Sequence, residues 1–253
     1  MEWYIYPLVV GAGFLAGFIN TLAGSGSLIT LPMLIFAGLP ANVANGTNRV
    51  AVLLQCVVAV RKFRQENILD LRRVIYLTIP AVLGAVIGAQ IAADLDEQLM
   101  RRIIGVLMVI MLVVVIVRPR RWLEGKADAL ERRPGWKQHV TFLGIGLYGG
   151  FIQAGVGIFL LAGLVLSAGY ELVRANAFKN FVVLCFTAFA LVVFILNGQV
   201  DWVLGLVLAI GNMLGAWVAA HMAVKKGAPF VRYILIAVII ISAIMLLGLE
   251  DCV

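Results

Sequence analysis

Residues 3–48 read WYIYPLVVGAGFLAGFINTLAGSGSLITLPMLIFAGLPANVANGTN, a run of 46 positions without one Asp, Glu, Lys or Arg. A helix crossing a bilayer needs about 20 apolar residues, so this run holds more than one pass or a re-entrant pair. Lipid offers backbone groups no partners, and the run shows no strand-like alternation of apolar and polar positions. Helices are therefore expected. Similar uncharged runs cover Val74–Ala93, Ile103–Val117, Gln138–Tyr170, Phe181–Val200 and Tyr233–Leu249.

The whole chain is 63% hydrophobic and 13% charged, too little polar sequence to cover a water-soluble domain, in which about 25% of residues are charged. Ten hydrophobic segments are read near 5–22, 27–39, 43–60, 74–93, 102–118, 139–154, 157–169, 175–197, 202–223 and 230–248. The N-terminus lacks the basic region and cleavage site of a signal peptide, so the first helix is expected to be retained. Cys56, Cys185 and Cys252 have no metal or redox spacing and read as small buried hydrophobes. The net charge of +7 is explained by topology, and no nucleic-acid partner is expected.

Five basic residues lie in Arg61–Arg73 and seven in Arg118–Lys137, and Lys225 and Lys226 lie in a third loop. The alternate loops, Asp94–Arg102 and Asn197–Asp201, are poor in them. The positive-inside rule places the basic loops in the cytoplasm and both termini outside. Arg49 and Lys179 are left over, inside hydrophobic segments.

A shift of 131 positions aligns Gly24-Ser25-Gly26 with Gly155-Val156-Gly157, Ala44-Asn45 with Ala175-Asn176, Ala59 with Ala190, and Leu83-Gly84 with Leu214-Gly215. Upstream, after a two-residue gap, Gly17–Asn20 meets Gly150–Gln153. The constant offset implies duplication. Each half changes the chain's side an odd number of times, so the repeats are inverted, an architecture whose site lies between halves near the midplane. The expected fold is an all-α polytopic transmembrane bundle of two inverted-topology repeats with short, broken second helices. Residues 1–118 form the N-terminal repeat, 119–138 a basic cytoplasmic linker and 139–253 the C-terminal repeat.

The second segment of each half has about 13 residues, Ser27–Leu39 and Gly157–Gly169, and follows a glycine-bearing break. At ~1.5 Å per residue it spans less than a ~30 Å hydrocarbon core, and it either crosses partially or turns back. Ser25 or Ser27 is positioned to cap the following helix, whose N-terminal amides favour an anion. The alternative is that these glycines only let helices pack closely. Under the shift Asn48 pairs with Lys179 and Arg49 with Asn180, so each half brings one cation and one asparagine to the same depth. Two readings remain: the cations snorkel to the interface, or they converge on an anion, Arg49 as a planar fork and Lys179 as a point charge. None of the 13 acids lies at a helix centre, which disfavours a cation transporter. Gln90 and His221 also pair under the shift, near helix ends. No HExxH, GxSxG, CxxC or P-loop pattern occurs, so neither an enzyme nor a cofactor is expected.

The stretch Gly17–Pro32, followed by Gly38-Leu-Pro40 and Ala44–Asn48, resembles the TauE/SafE family of sulfite and organosulfonate exporters, and Gly150–Gly157 with Ala175–Asn180 echoes it. The resemblance spans nearly the whole chain and implies a bacterial-type inner-membrane permease for sulfite, sulfoacetate or related sulfur anions. Ser25 departs from the family's frequent Gly-Gly-Gly run, and Val156 and Ile158 replace Ser25 and Ser27 in the second copy. The resulting expectation is alternating access, with Asn20, Gly24, Ser25, Gly26 and Ser27 facing Gln153, Gly155 and Gly157, and Thr47, Asn48 and Arg49 facing Asn176, Lys179 and Asn180. The partners are a small anionic substrate and the lipid bilayer, and a homo-oligomer is compatible with both. An anion channel is the first alternative, a membrane-embedded enzyme or structural subunit the second.

Overall fold

The computed structural model describes residues 5–117, 135–167 and 169–248. Cys252 and most of the expected linker lie outside them. All regular structure among the described residues is helical: α1 (Ile5–Ala23), α2 (Ser27–Phe36), α3 (Ala41–Gln65), α4 (Leu71–Ala93), α5 (Glu97–Val117), α6 (Trp136–Phe151), α7 (Val156–Ala162), a π-helical turn Gly163–Ser167, α8 (Leu172–Leu196) and α9 (Trp202–Gly248). The last is broken at Gly227 (φ 68°, ψ −164°), ahead of Pro229. Five spans are long and apolar enough to cross a bilayer: Ile5–Ala23, Ala41–Gln65, Val74–Ala93, Leu172–Leu196 and Trp202–Gly227. The chain is a multi-pass helical membrane protein.

Two segment bounds need correction. The expected segment 27–39 stops at Phe36, because the chain turns through Ala37 and Gly38 (φ 96°). The expected segment 157–169 is seven α-helical residues followed by a π-helical turn that opens at Gly163, a residue that weakly supports α-helix. Both elements are shorter than the hydropathy runs suggest.

Along α4 residue size is sorted opposite to a soluble core. On α4, Val74, Leu77, Ala81, Ala85, Ala89 and Ala92 are buried, whereas Ile75, Ile79, Leu83, Val86, Ile87 and Ile91 are exposed. Lipid tails cover large apolar side chains as well as protein does, so small residues line helix contacts, where backbones gain by approaching closely. Glycines four apart carry this furthest. Gly84 and Gly88 of α4 lie on the carbonyls of Leu143 and Leu147, and Gly146 and Gly150 of α6 lie on Ala81 and Ala85. The α1–α9 contact is built alike: Gly13 and Gly17 against Leu208 and Asn212, Gly211 and Gly215 against Val10 and Phe14. At each of these glycines a Cβ would overlap the facing backbone.

Helices α3 and α8 run through the centre. Contacts between loops sort the molecule into two ends. At one, the Asp201 amide donates to Thr47 Oγ1 (2.8 Å) and Gln199 Nε2 to the Ala93 carbonyl (2.9 Å), gathering the starts of α3 and α9 with the end of α4. At the other, Asn67, Ile68 and Asp70 share a cleft with Tyr170, Arg174 and Phe178. The α2–α3 and α7–α8 connections thus lie at opposite ends.

Candidate functional site

Both chain breaks fall inside the bundle, where α1 gives way to α2 and α6 to α7. Gly24 (φ 79°) turns the first, its amide donating to the Asn20 carbonyl (2.9 Å). Gln153 (φ 60°) and Gly155 (φ 70°) turn the second. The breaks meet: a Cβ on Gly24 would overlap the Gly157 backbone, and one on Gly157 the Gly24 backbone. Gly26 is pressed on the Ala16 carbonyl, and Gly155 lies under the Met111 side chain of α5.

The expected serine cap is not made, since neither break is followed by a side-chain cap. Ser27 Oγ instead accepts from Asn48 Nδ2 (3.1 Å), while Thr30 Oγ1 donates to Asn48 Oδ1 (2.6 Å). The cap position falls on Gly26, between the two serines, so neither hydroxyl stands where it would close the helix end. The Ser25 hydroxyl is buried without a protein partner.

Arg49 is 0% exposed and Lys179 is 1% exposed, so neither head group snorkels. Each spans the bundle to the C-terminal carbonyls of a broken helix. Arg49 donates from Nη1 to the Gly149 carbonyl (3.1 Å), and from Nη2 to the Gly150 carbonyl and to Asn45 Oδ1 (3.4 Å). Lys179 Nζ donates to the carbonyls of Asn20 and Thr21 (2.7 Å each) and to Asn176 Oδ1 (3.0 Å). Helix C-termini carry unpaired carbonyls and a partial negative charge, and inside a membrane these need a donor. The two cations supply it. The Phe194 ring centroid lies 4.6 Å from the Arg49 guanidinium carbon, adding a cation–π contact. Arg49 Nε has no protein partner.

The surrounding amides complete the layer. Asn45 Nδ2 donates to the Phe151 carbonyl (2.8 Å), and Asn180 Nδ2 to the Asn176 carbonyl (2.8 Å) and the Thr21 carbonyl (3.3 Å). Gln153 Nε2 donates to Thr187 Oγ1 (2.6 Å), leaving Oε1 buried and unpartnered, as is Asn176 Nδ2. Among the described residues no buried position is acidic.

The structure thus gathers Asn20, Gly24, Ser25, Gly26, Ser27, Asn48 and Arg49 with Gln153, Gly155, Gly157, Asn176, Lys179 and Asn180 around the crossed breaks. Thr47 stands apart, holding the α8–α9 loop through the Asp201 amide. His221 stacks on Trp217, and Gln90 donates to Asp94, away from the layer. Sequence reasoning missed Thr21, Thr30, Asn45, Gln55, Thr187 and Asn212, all buried. The available signal was an uncharged polar residue inside a long apolar helix.

Comparison with known proteins agrees with this architecture. The family model described as "Sulfite exporter TauE/SafE" matches residues 9–246. Similar curated proteins include a "Probable membrane transporter protein ORF9" from Sinorhizobium sp, 29% identical over 98% of this chain and 94% of that protein. A "Probable membrane transporter protein" from Haemophilus influenzae is 27% identical over 87% of this chain and 86% of its own length. The "Probable membrane transporter protein YfcA" of Escherichia coli is 28% identical over 95% and 89%. No solved structure matches the chain significantly. With the family match covering nearly its whole length, this chain belongs to the TauE/SafE sulfite exporter family of membrane transporters.

Proposed function

We propose that the protein is a secondary transporter that exports a small sulfur-containing anion, such as sulfite, sulfoacetate or a related organosulfonate, by alternating access. The observation that carries this reading is the central layer with two buried cations and, among the described residues, no buried acid. Such a layer attracts an anion and repels a cation. The anion binds at the crossed breaks, between Asn20, Gly24, Ser25, Gly26 and Ser27 on one side and Gln153, Gly155 and Gly157 on the other. Asn48, Arg49, Asn176, Lys179 and Asn180 supply charge and orientation. With both cations donating to helix ends, an arriving oxyanion competes with the carbonyls for them. Taking Lys179 or Arg49 from its carbonyls frees the end of α1 or α6, which gives binding a direct mechanical consequence.

The rocking units are two inverted repeats, 1–118 and 139–253, joined by the basic linker 119–138. In support, α3 and α8 both have 25 residues and begin at Ala41 and Leu172, 131 positions apart. The carbonyls that hold Lys179, those of Asn20 and Thr21, lie 129 positions before those that hold Arg49, Gly149 and Gly150. On this basis the two-residue offset is an insertion at the second break, opposite in sense to the alignment of Gly17–Asn20 with Gly150–Gln153. The end carrying Arg61, Arg64 and Arg174 faces the cytoplasm of a bacterial-type inner membrane, with both termini outside.

Thermal unfolding of the purified protein against sulfite, sulfate, thiosulfate, sulfoacetate, taurine, chloride and a carboxylate, at matched ionic strength, tests the reading. A ligand at about 100 times its dissociation constant adds about 2.7 kcal/mol to folded-state stability. Stabilisation confined to sulfur anions, with saturable counterflow in proteoliposomes, is expected. Unchanged transport in both Arg49→Gln and Lys179→Gln would remove the site, and a flat panel would remove the substrate class.

A further inference from the structure

We infer that Asn20, Thr21, Gln55 and Asn212 form the specificity-determining part of the site, built to take a singly charged sulfonate or sulfur oxyanion that also carries an O–H or N–H donor. The inference rests on the transporter reading above and adds the ligand's protonation to it. Gln55 lies on α3, Asn212 on α9, and Asn20 and Thr21 at the end of α1. Gln55, Asn212 and Thr21 are at most 1% exposed.

Gln55 Oε1 accepts from Asn20 Nδ2 and from Asn212 Nδ2, both at 3.3 Å, which uses both its lone pairs. Three polar atoms of the same network remain buried without a protein partner: Gln55 Nε2, Asn212 Oδ1 and Thr21 Oγ1. The first is a donor, the second an acceptor, and the hydroxyl is either. Leaving such groups unmet in a buried layer is costly, so a fold that keeps them has a use for them. Lys179 joins the cluster through the main-chain carbonyls of Asn20 and Thr21.

Packing alone does not require these residues. Under the offsets above, the counterpart of Gln55 is Phe186 and that of Asn212 is Ala81, while Asn20 and Thr21 correspond to Gly149 and Gly150. The related positions around Arg49 are therefore apolar or without a side chain. The polar set occurs once, beside Lys179, as asymmetric substrate recognition needs. Sulfonate oxygens take the Gln55 amide and the Thr21 hydroxyl. The ligand's own O–H or N–H goes to Asn212 Oδ1. A dianion without such a proton, as sulfoacetate and fully deprotonated sulfite are, sets negative charge against that acceptor and binds more weakly.

Ethanesulfonate and 2-hydroxyethanesulfonate have the same charge and differ by one hydroxyl, so their binding to the purified full-length protein isolates this feature. The wild-type protein is expected to prefer the hydroxyl-bearing anion by at least roughly tenfold, as a site built to pair a ligand hydroxyl does. Asn212→Leu should bring the two affinities together, by weakening the hydroxyl-bearing anion alone. Asn212→Ser serves the same purpose should the leucine variant fail to fold. Equal wild-type affinities, or a preference kept in the folded variants, would overturn the inference and leave the transporter reading standing. Failure of the wild-type protein to bind either sulfonate or sulfite would overturn both.

Discussion

Arg49 and Lys179 each close the end of a helix far away in the chain, and the cost of removing them follows from what they leave behind. Arg49→Leu strands the Gly149 and Gly150 carbonyls in the bundle. Hydrogen bonds to charged groups contribute about 1.5–3 kcal/mol, so a loss of that order is expected in thermal unfolding in detergent. Arg49→Lys should recover part of it, since a point charge reaches one carbonyl better than two. Gly24 and Gly38 separate conformational strain from crowding, because both have positive φ but only Gly24 faces another backbone. Gly38→Ala should cost roughly 1–2 kcal/mol, the left-handed penalty alone. Gly24→Ala adds overlap with Gly157 and should abolish transport, read as proteoliposome counterflow. The cations and Gly24 were visible in the sequence as exceptions within apolar runs. Their partners were not, because a main-chain carbonyl is present at every residue and leaves no mark in the sequence.

Paired glycines, rather than large apolar side chains, set how closely the helices approach. Gly144 and Gly146 lie two positions apart on α6, yet a Cβ meets nothing within 4 Å at Gly144 and overlaps the Ala81 backbone at Gly146. Gly144→Leu should therefore be neutral in thermal unfolding. Gly146→Leu should exceed the about 1–3 kcal/mol typical of overpacking, since backbone cannot move aside as a rotamer can. The four-residue spacing of these glycines is readable in the sequence. That α4 meets α6 while α1 meets α9 is not, because any such face fits any other until the chain path is known. Helices α2 and α7 are shorter than their apolar runs for a related reason: hydropathy reports contact with lipid or protein and is blind to where hydrogen bonding stops being helical.

For the molecule as a whole, the arrangement of loops at two ends has a direct consequence in the cell. In a cysteine-free background, Asn197→Cys should react with a membrane-impermeant thiol reagent added to intact bacteria, and Gln65→Cys should react only after the membrane is breached. Both positions are exposed, so labelling of both from the same side would refute the orientation. The sequence by itself determined that the chain is a helical membrane protein, which segments are apolar, where the helices break and which two cations lie within them. Those properties are local: they depend on the polarity and backbone freedom of residues in order along the chain. Only the tertiary structure decided that the cations hold helix ends, that the breaks cross at Gly24 and Gly157, that Thr47 belongs to a loop contact, and that Gln55 and Asn212 join the central layer. Each of those facts is a pairing of distant groups, and pairing is set by how helices pack.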